Sequence, residues 1–192
     1  MDALAAAVAT CEQVGWASAA GAIGPGEVAA LGAAVADLVL EQLEPEVGAV
    51  RQAGAAAVCA LTGRPAVEHL ADRLGRAASA AGIPWQPDEV ASTSYGPGEG
   101  ISPHRDNNFY EGFVAVVTLA GWAEVRVVGD RAGRQELARW AAGSGHLALF
   151  RGPRPGFEAR PLHEVGPAGP SGRRVLVLRR NRRGAGRGWK DG

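Results

Sequence analysis

The stretch Ser94-Tyr95-Gly96-Pro97-Gly98-Glu99-Gly100-Ile101-Ser102-Pro103-His104-Arg105-Asp106-Asn107 is the part of the chain around which the fold is predicted to form. A turn rich in glycine and proline is followed by a short extended run that ends in His-x-Asp. Side chains two residues apart in a strand point to the same face. His104 and Asp106 are therefore predicted to direct an imidazole and a carboxylate toward one point. A third ligand has to come from elsewhere, and the candidate is His163 in Arg160-Pro161-Leu162-His163-Glu164-Val165.

Two histidines and one carboxylate are a recognised set of metal ligands. When they occupy one face of a metal and leave the opposite positions open, they form the facial triad of non-haem Fe(II) oxygenases. A His-x-Asp pair alone is weak evidence, because such pairs arise by chance in many chains. His146, in Gly-Ser-Gly-His at the start of a predicted strand, is an alternative to His163 as the third ligand. Arg173 follows His163 by ten residues, inside the strand-like run 173–179.

With His163 and Arg173 included, the pattern resembles the Fe(II)/2-oxoglutarate-dependent oxygenase superfamily over roughly residues 90–183. Tyr-x-Pro-Gly before Ile-Ser-x-His-x-Asp is similar to the corresponding stretch of the AlkB-type demethylases. His-Glu-Val-x-Pro after the second metal strand is similar to the prolyl hydroxylases. An arginine, five intervening residues and a second arginine, here Arg173 and Arg179, are again AlkB-like.

The resemblance implies a cofactor set of Fe(II), 2-oxoglutarate as cosubstrate, and O₂. The distal carboxylate of 2-oxoglutarate needs a planar, bidentate cation, which arginine provides better than lysine. Arg173 is preferred to Arg174, although a shift of one residue in strand register would exchange the two. By this resemblance the metal ligands and catalytic residues are His104, Asp106 and His163, and the cofactor-binding residues are Thr93, Tyr95, Arg173 and Arg179.

Three further residues are candidates for contact with a substrate. Arg105 and Asn107 flank the predicted metal strand, and Trp122 follows a turn. Loop residues that only hydrogen-bond their own turn are an equally good interpretation of Arg105 and Asn107. Trp122 could equally be part of the core.

Composition and charge narrow the class of protein. The chain has 192 residues, a hydrophobic content of 46% and a formal net charge of zero. A neutral chain argues against a protein held to nucleic acid or to an anionic membrane by its overall field. Cys11 and Cys59 lie far apart and fit a reduced, cytoplasmic chain better than a disulfide scaffold. We find no signal-peptide pattern and no apolar run of about 18 residues that would span a membrane.

The order of the predicted elements indicates an α+β fold. Helices are expected over about 2–16, with Asp2 as N-cap, over 27–43 and over 65–80. Short strands between turns follow, and the apolar run 112–119 predicts a strand covered on both faces. We expect a double-stranded β-helix, the jelly-roll or cupin-like core of the superfamily. The predicted division is a supporting helical part at 1–84, an oxygenase core at 85–183 and a basic, flexible tail at 184–192.

The expected function is that of a dioxygenase that hydroxylates or otherwise oxidises a small molecule, such as an amino acid or a natural-product intermediate. An AlkB-like or prolyl-hydroxylase-like enzyme acting on nucleic acid or protein is a second hypothesis. A barrel that binds metal or ligand without turnover is a third. The sequence does not name the substrate and leaves open whether the chain forms a homodimer.

Overall fold

Two antiparallel sheets face each other in the computed structural model, which describes residues 2–153 and 160–188. Three helices cover the outer face of the larger sheet. The helices are α1 (Ala3–Val14), α2 (Pro25–Ala34) and α3 (Pro65–Ala80). The strands are β1 (Trp16–Ala19), β2 (Glu41–Gln42), β3 (Glu46–Val47), β4 (Val50–Arg51), β5 (Ala55–Ala60), β6 (Glu89–Tyr95), β7 (Ile101–His104), β8 (Tyr110–Gly121), β9 (Ala123–Val128), β10 (Glu136–Ala142), β11 (Leu147–Arg151), β12 (Leu162–Val165) and β13 (Arg173–Asn181).

The strand order is that of a double-stranded β-helix. The larger sheet has the order β1-β11-β8-β13-β6-β5-β2, and the smaller has the order β10-β9-β12-β7. Strands adjacent in sequence lie in opposite sheets at several points, so the chain alternates between the two layers. The predicted α+β class with a jelly-roll core is confirmed.

Strand β8 shows how the sequence separates the two layers of core. Phe113, Ala115 and Val117 belong to the hydrophobic cluster under the helices. Val114 and Val116 point to the opposite face, into the space between the sheets. The alternation follows from the two-residue period of a strand, and the expectation that both faces of this strand are covered is confirmed.

The first and last helices follow the predicted pattern. Asp2 caps α1, since its Oδ1 accepts a hydrogen bond from the backbone N–H of Leu4 at 3.3 Å. Helix α3 buries Val67, Leu70 and Leu74 against the sheet. These apolar residues recur at the spacing that places them on one face of a helix.

The prediction of a helix over 27–43 is wrong in its second half, because α2 ends at Ala34. Two arginines bind the carbonyls that a longer helix would use internally. Arg64 donates to the carbonyl oxygen of Ala34, and Arg174 Nη2 donates to that of Val35 at 2.9 Å. Val39, which the helical pattern would bury, is 84% exposed.

The N-terminal 84 residues contain strands as well as helices. Strand β1 extends the larger sheet at β11, and β5 extends it at β6. Strands β3 and β4 form a separate hairpin, which is joined to β7 through the Gln52–Ile101 bridge. The N-terminal part therefore contributes to the barrel wall as well as supporting it.

The predicted flexible tail begins as an anchored segment. The backbone N–H of Gly186 donates to Glu89 Oε2, and the carbonyl of Arg187 accepts from Asn181 Nδ2 at 2.9 Å. The rest of the predicted tail, residues 189–192, lies outside the described residues. No helix in the described ranges is long and apolar enough to cross a membrane.

Candidate metal centre

The three predicted metal ligands come together at one end of the space between the sheets. His104 ends β7 and lies directly opposite His163 of β12 in the strand register. Asp106 follows in the next loop, and its Oδ2 is 3.8 Å from His163 Nε2. One ligand atom from each residue lies within 4.8 Å of the other two. A single metal ion could therefore contact all three.

Backbone carbonyls orient both imidazoles. His104 Nδ1 is 3.0 Å from the carbonyl oxygen of Ser102, and His163 Nδ1 is 3.3 Å from that of Pro161. Each Nδ1 therefore donates its proton to a carbonyl and leaves the Nε2 lone pair available. This arrangement is typical of metal-binding histidines, in which the second ring nitrogen is fixed by a hydrogen bond.

Both histidines are held in the neutral form that binds metal. Burial lowers the pKa of His104 to about 4, with a further contribution from His163. Burial also lowers the pKa of His163, although the Asp106 carboxylate opposes this shift. The ring of His163 stacks on Phe150 with the ring centroids 3.8 Å apart. Two neutral imidazoles and one carboxylate are the donor set expected for non-haem Fe(II), so the residues fit this ion.

A cavity of about 270 Å³ extends from the three ligands into the barrel. Arg173 lines it and is only 4% exposed. Its Nη2 donates to Thr118 Oγ1 at 2.9 Å, while its Nε is buried without a hydrogen-bond partner. Burial lowers the pKa of this guanidinium, and no described carboxylate forms a salt bridge with it. A buried cation with an unused donor fits the carboxylate of an anionic ligand.

Tyr95 and Thr93 line the same cavity, as the predicted cofactor contacts require. Tyr95 pairs with Arg173 in the strand register. Burial raises the pKa of the Tyr95 phenol, and the nearby Arg173 and Arg179 charges oppose this shift. The phenol therefore stays protonated near neutral pH and can donate a hydrogen bond to an anion in the cavity.

The neighbouring Arg174 points to the other side of β13. Its Nε donates to Ser92 Oγ at 3.3 Å, and its Nη2 reaches the Val35 carbonyl beneath the helices. Arg173 is therefore the member of the pair that faces the cavity. Its role as the cosubstrate anchor remains a prediction.

Arg179 also faces the cavity, but it already has an anionic partner. Its Nη1 lies 3.0 Å from Glu89 Oε1 and 2.8 Å from the Tyr110 hydroxyl. Glu89 is fully buried and also accepts from Asn181 Nδ2 and from the backbone N–H of Gly186. The predicted contact of Arg179 with a cofactor would therefore add to an existing ion pair.

The predicted substrate contacts differ in their positions. Arg105 and Asn107 line the cavity beside Asp106. Trp122 does not belong to its lining, is 47% exposed and packs on Gly169, so its position gives no support to the prediction that it contacts a substrate. Gly121, whose φ is 67°, turns the chain at the end of β8, directly before Trp122. A Cβ at this position would lie 1.8 Å from a backbone oxygen, so only glycine fits.

His146 is not part of the metal cluster. Its Nε2 is 2.9 Å from Ser18 Oγ, and its ring is stacked near Trp140 at a centroid distance of 6.4 Å. The cluster of potential ligands in the described chain contains His163 and not His146. The alternative assignment of the third ligand therefore lacks the necessary geometry.

Sequence reasoning missed a residue that supports Arg173 and a group of residues that line the cavity. Thr118, which binds Arg173, is the one polar residue in the apolar centre of β8, and this polarity was an available signal. Leu43, Val47 and Val50 form an apolar wall from the segment around the β3–β4 hairpin. No periodic pattern marked this wall, since its strands are only two residues long.

Comparison with solved structures identifies the fold. A prolyl-4-hydroxylase from Pseudomonas putida is 20% identical, with a TM-score of 0.67 over 93% of this chain and 99% of that protein. An oxidoreductase of the 2OG-Fe(II) oxygenase family from Burkholderia pseudomallei is 19% identical, with a TM-score of 0.63 over 95% of this chain and 92% of that protein. The protein OsALKBH1 is 12% identical, with a TM-score of 0.64 over 87% of this chain and 98% of that protein.

These likenesses show that the chain has the double-stranded β-helix fold of the 2-oxoglutarate- and Fe(II)-dependent oxygenases. No protein-family model matches the sequence. No curated protein matches it either. The predicted resemblance is thus confirmed at the level of the fold, and the site geometry carries the functional argument.

Proposed function

We propose that the protein is an Fe(II)- and 2-oxoglutarate-dependent dioxygenase that hydroxylates or otherwise oxidises a small molecule. The observation that carries the proposal is the placement of His104, Asp106 and His163 in the same cavity as the buried Arg173. The first three residues would hold the metal, and Arg173 would bind the distal carboxylate of the cosubstrate. An oxygenase of this fold needs both features at once.

The residues of the cavity have distinct tasks in this proposal. His104 and His163 present neutral Nε2 atoms, and Asp106 supplies the single negative charge of the ligand set. Thr118 orients Arg173, and Tyr95 donates a hydrogen bond beside it. When bound, Fe(II) and 2-oxoglutarate would supply O₂ activation coupled to oxidative decarboxylation of the cosubstrate to succinate and CO₂.

The cavity walls help to keep bulk water from the reacting carbon. Small apolar side chains of the larger sheet, including Val114, Val116, Val175 and Val177, line the same cavity as the metal ligands and Arg173. Exclusion of water strengthens electrostatic contacts to bound anions. The same lining leaves room for compact ligands, which favours a small molecule such as an amino acid or a natural-product intermediate.

Modification of a macromolecule is the second candidate function. It is favoured by the fold likeness to a prolyl-4-hydroxylase and to OsALKBH1. The neutral overall charge speaks against nucleic acid as the substrate.

A reducing, cytoplasmic location is part of the proposal, since no disulfide joins Cys11 and Cys59.

The decisive experiment is an anaerobic titration of the apo-protein with Fe(II) and then with 2-oxoglutarate. Formation of the weak visible charge-transfer band of the chelate is the expected result. Iron binding without this band would refute the use of 2-oxoglutarate and would favour a metal-binding barrel without turnover. Once the band is seen, consumption of 2-oxoglutarate in the presence of amino acids and other small metabolites would identify the substrate.

A further inference from the structure

Arg105 lines the cavity at the metal loop, and Arg160 lies against it and against the backbone of Asp106. Arg105 lies between the ligands His104 and Asp106 and is exposed, whereas Arg160 is half-buried. Arg105 Nε donates to the carbonyl oxygen of Arg160 at 2.9 Å, and Arg160 Nη1 donates to the backbone oxygen of Asp106. Both guanidinium groups are thus fixed by backbone acceptors and keep further N–H donors for another partner.

Neither arginine forms a salt bridge with a carboxylate of the described residues. Other arginines of the fold do so, as Arg179 does with Glu89 and Arg73 does with Glu27 at 2.8 Å. The carboxylate beside the pair is that of Asp106, which the proposed function assigns to the metal. Two adjacent positive charges without an anion are unfavourable unless a ligand supplies one.

Another part of the cavity wall is apolar. Leu43, Val47 and Val50 line it from the segment around the β3–β4 hairpin. Val47 is apolar, yet 40% of its surface is exposed to solvent. Cationic and apolar groups in the wall of one cavity fit a ligand with an anionic end and an apolar body.

We propose that Arg105 and Arg160 bind the anionic group of the substrate, so that the substrate is a small carboxylate or phosphate with an apolar body. Its anionic oxygens accept hydrogen bonds from the two guanidinium groups, and its body lies against Leu43, Val47 and Val50. The part between them faces the metal ligands. This inference rests on the proposed function and names the chemical class of its substrate.

The test measures anion binding without turnover. Protein loaded with Zn(II) in place of iron and saturated with 2-oxoglutarate is titrated with isovalerate, with isobutylphosphonate and with neutral isovaleramide. The Nε–H resonances of Arg105 and Arg160 are followed by NMR. We expect a saturable shift of these resonances with at least one of the two anions and none with the amide. The anion that binds more tightly indicates whether the substrate carries a carboxylate or a phosphate.

Three variants complete the test. Arg105→Gln should weaken anion binding by about tenfold, the size expected for loss of one charge-assisted contact. Arg160→Lys keeps the positive charge but loses the planar guanidinium group with its paired N–H donors. It should weaken anion binding less than Arg160→Gln does. The matched control is Arg51→Gln, because Arg51 lies on the hairpin with its side chain 84% exposed and paired to Glu46. This control should bind the anion as the unaltered protein does.

Several results would overturn the inference. Shifts that sodium chloride reproduces at equal ionic strength, or binding that survives Arg105→Gln, would show that the pair is not the anion site. Binding of a single-stranded oligonucleotide but of neither small anion would replace the small-molecule substrate with nucleic acid. A missing 2-oxoglutarate band in the unaltered iron protein would instead refute the proposed function, so the two failures are distinguishable.

Discussion

Replacement of Thr118 by valine should weaken 2-oxoglutarate binding without removing any direct ligand of the metal. Thr118 is 1% exposed, and its Oγ1 accepts from Arg173 Nη2 at 2.9 Å. Valine keeps the shape of threonine but offers no acceptor. Arg173 Nη2 then has no hydrogen-bond partner, as is already the case for its Nε. A hydrogen bond to a charged group contributes about 1.5–3 kcal/mol. The charge of Arg173 remains in this variant, so we take the lower end of that energy range. It corresponds to about a tenfold increase in the Kd of 2-oxoglutarate.

The assay is the anaerobic titration of the Fe(II)-protein, with Kd taken from the visible band of the chelate. Ser92→Ala is the matched control, since Ser92 Oγ is also buried on a neighbouring strand but accepts from Arg174. The control should leave Kd unchanged. An unchanged Kd for Thr118→Val, or an equal loss for Ser92→Ala, would refute the assignment of Arg173 and its supporting hydroxyl.

Three further predictions follow from the same site. His104→Ala and Asp106→Ala should each abolish Fe(II) binding, as measured by equilibrium dialysis, while the circular dichroism of the folded protein is retained. Arg173→Ala should raise the Kd of 2-oxoglutarate by more than Thr118→Val does, whereas Arg174→Ala should leave it unchanged; the reverse order would contradict the observed direction of the two side chains. The apo-protein should lose stability as the pH falls from 6.5 toward about 4, because the unfolded chain then binds a proton that the folded His104 does not accept. Urea unfolding between pH 8 and pH 4 should show this slope, and His104→Gln should reduce it.

Much of the metal site could be predicted because it depends on local spacing. His-x-Asp places two ligands on one side of the chain, and the register of β7 and β12 then brings His163 opposite His104. The two-residue period of β13 likewise separates Arg173 from Arg174. Asp106, however, lies in the loop after β7, so the strand period did not itself place it, and the preference for His163 over His146 came from the family resemblance.

The errors occurred where distant residues decide the structure. The apolar spacing over 27–43 favours a helix, yet Arg64 and Arg174 bind the carbonyls at 34 and 35 from outside. Trp122 lies outside the cavity lining, after the turn at Gly121. The apolar part of the cavity wall depends on a hairpin whose strands are too short to leave a periodic signal. Propensity within one segment does not contain these tertiary contacts.

Arg173 and Arg179 both line the cavity from β13, and the presence or absence of an acidic partner determines what each can bind. Arg173 and Arg179 occupy the same face of one strand and lie roughly 20 Å apart along it. Arg179 is neutralised by the fully buried Glu89, whereas no described carboxylate pairs with Arg173. Of these two arginines, only Arg173 offers an entering anion a new ion pair. The same reasoning applies at the metal loop, where Arg105 and Arg160 also lack an acidic partner among the described residues. Under the two proposals, Arg173 would bind the cosubstrate, and Arg105 and Arg160 would bind the anionic group of the substrate.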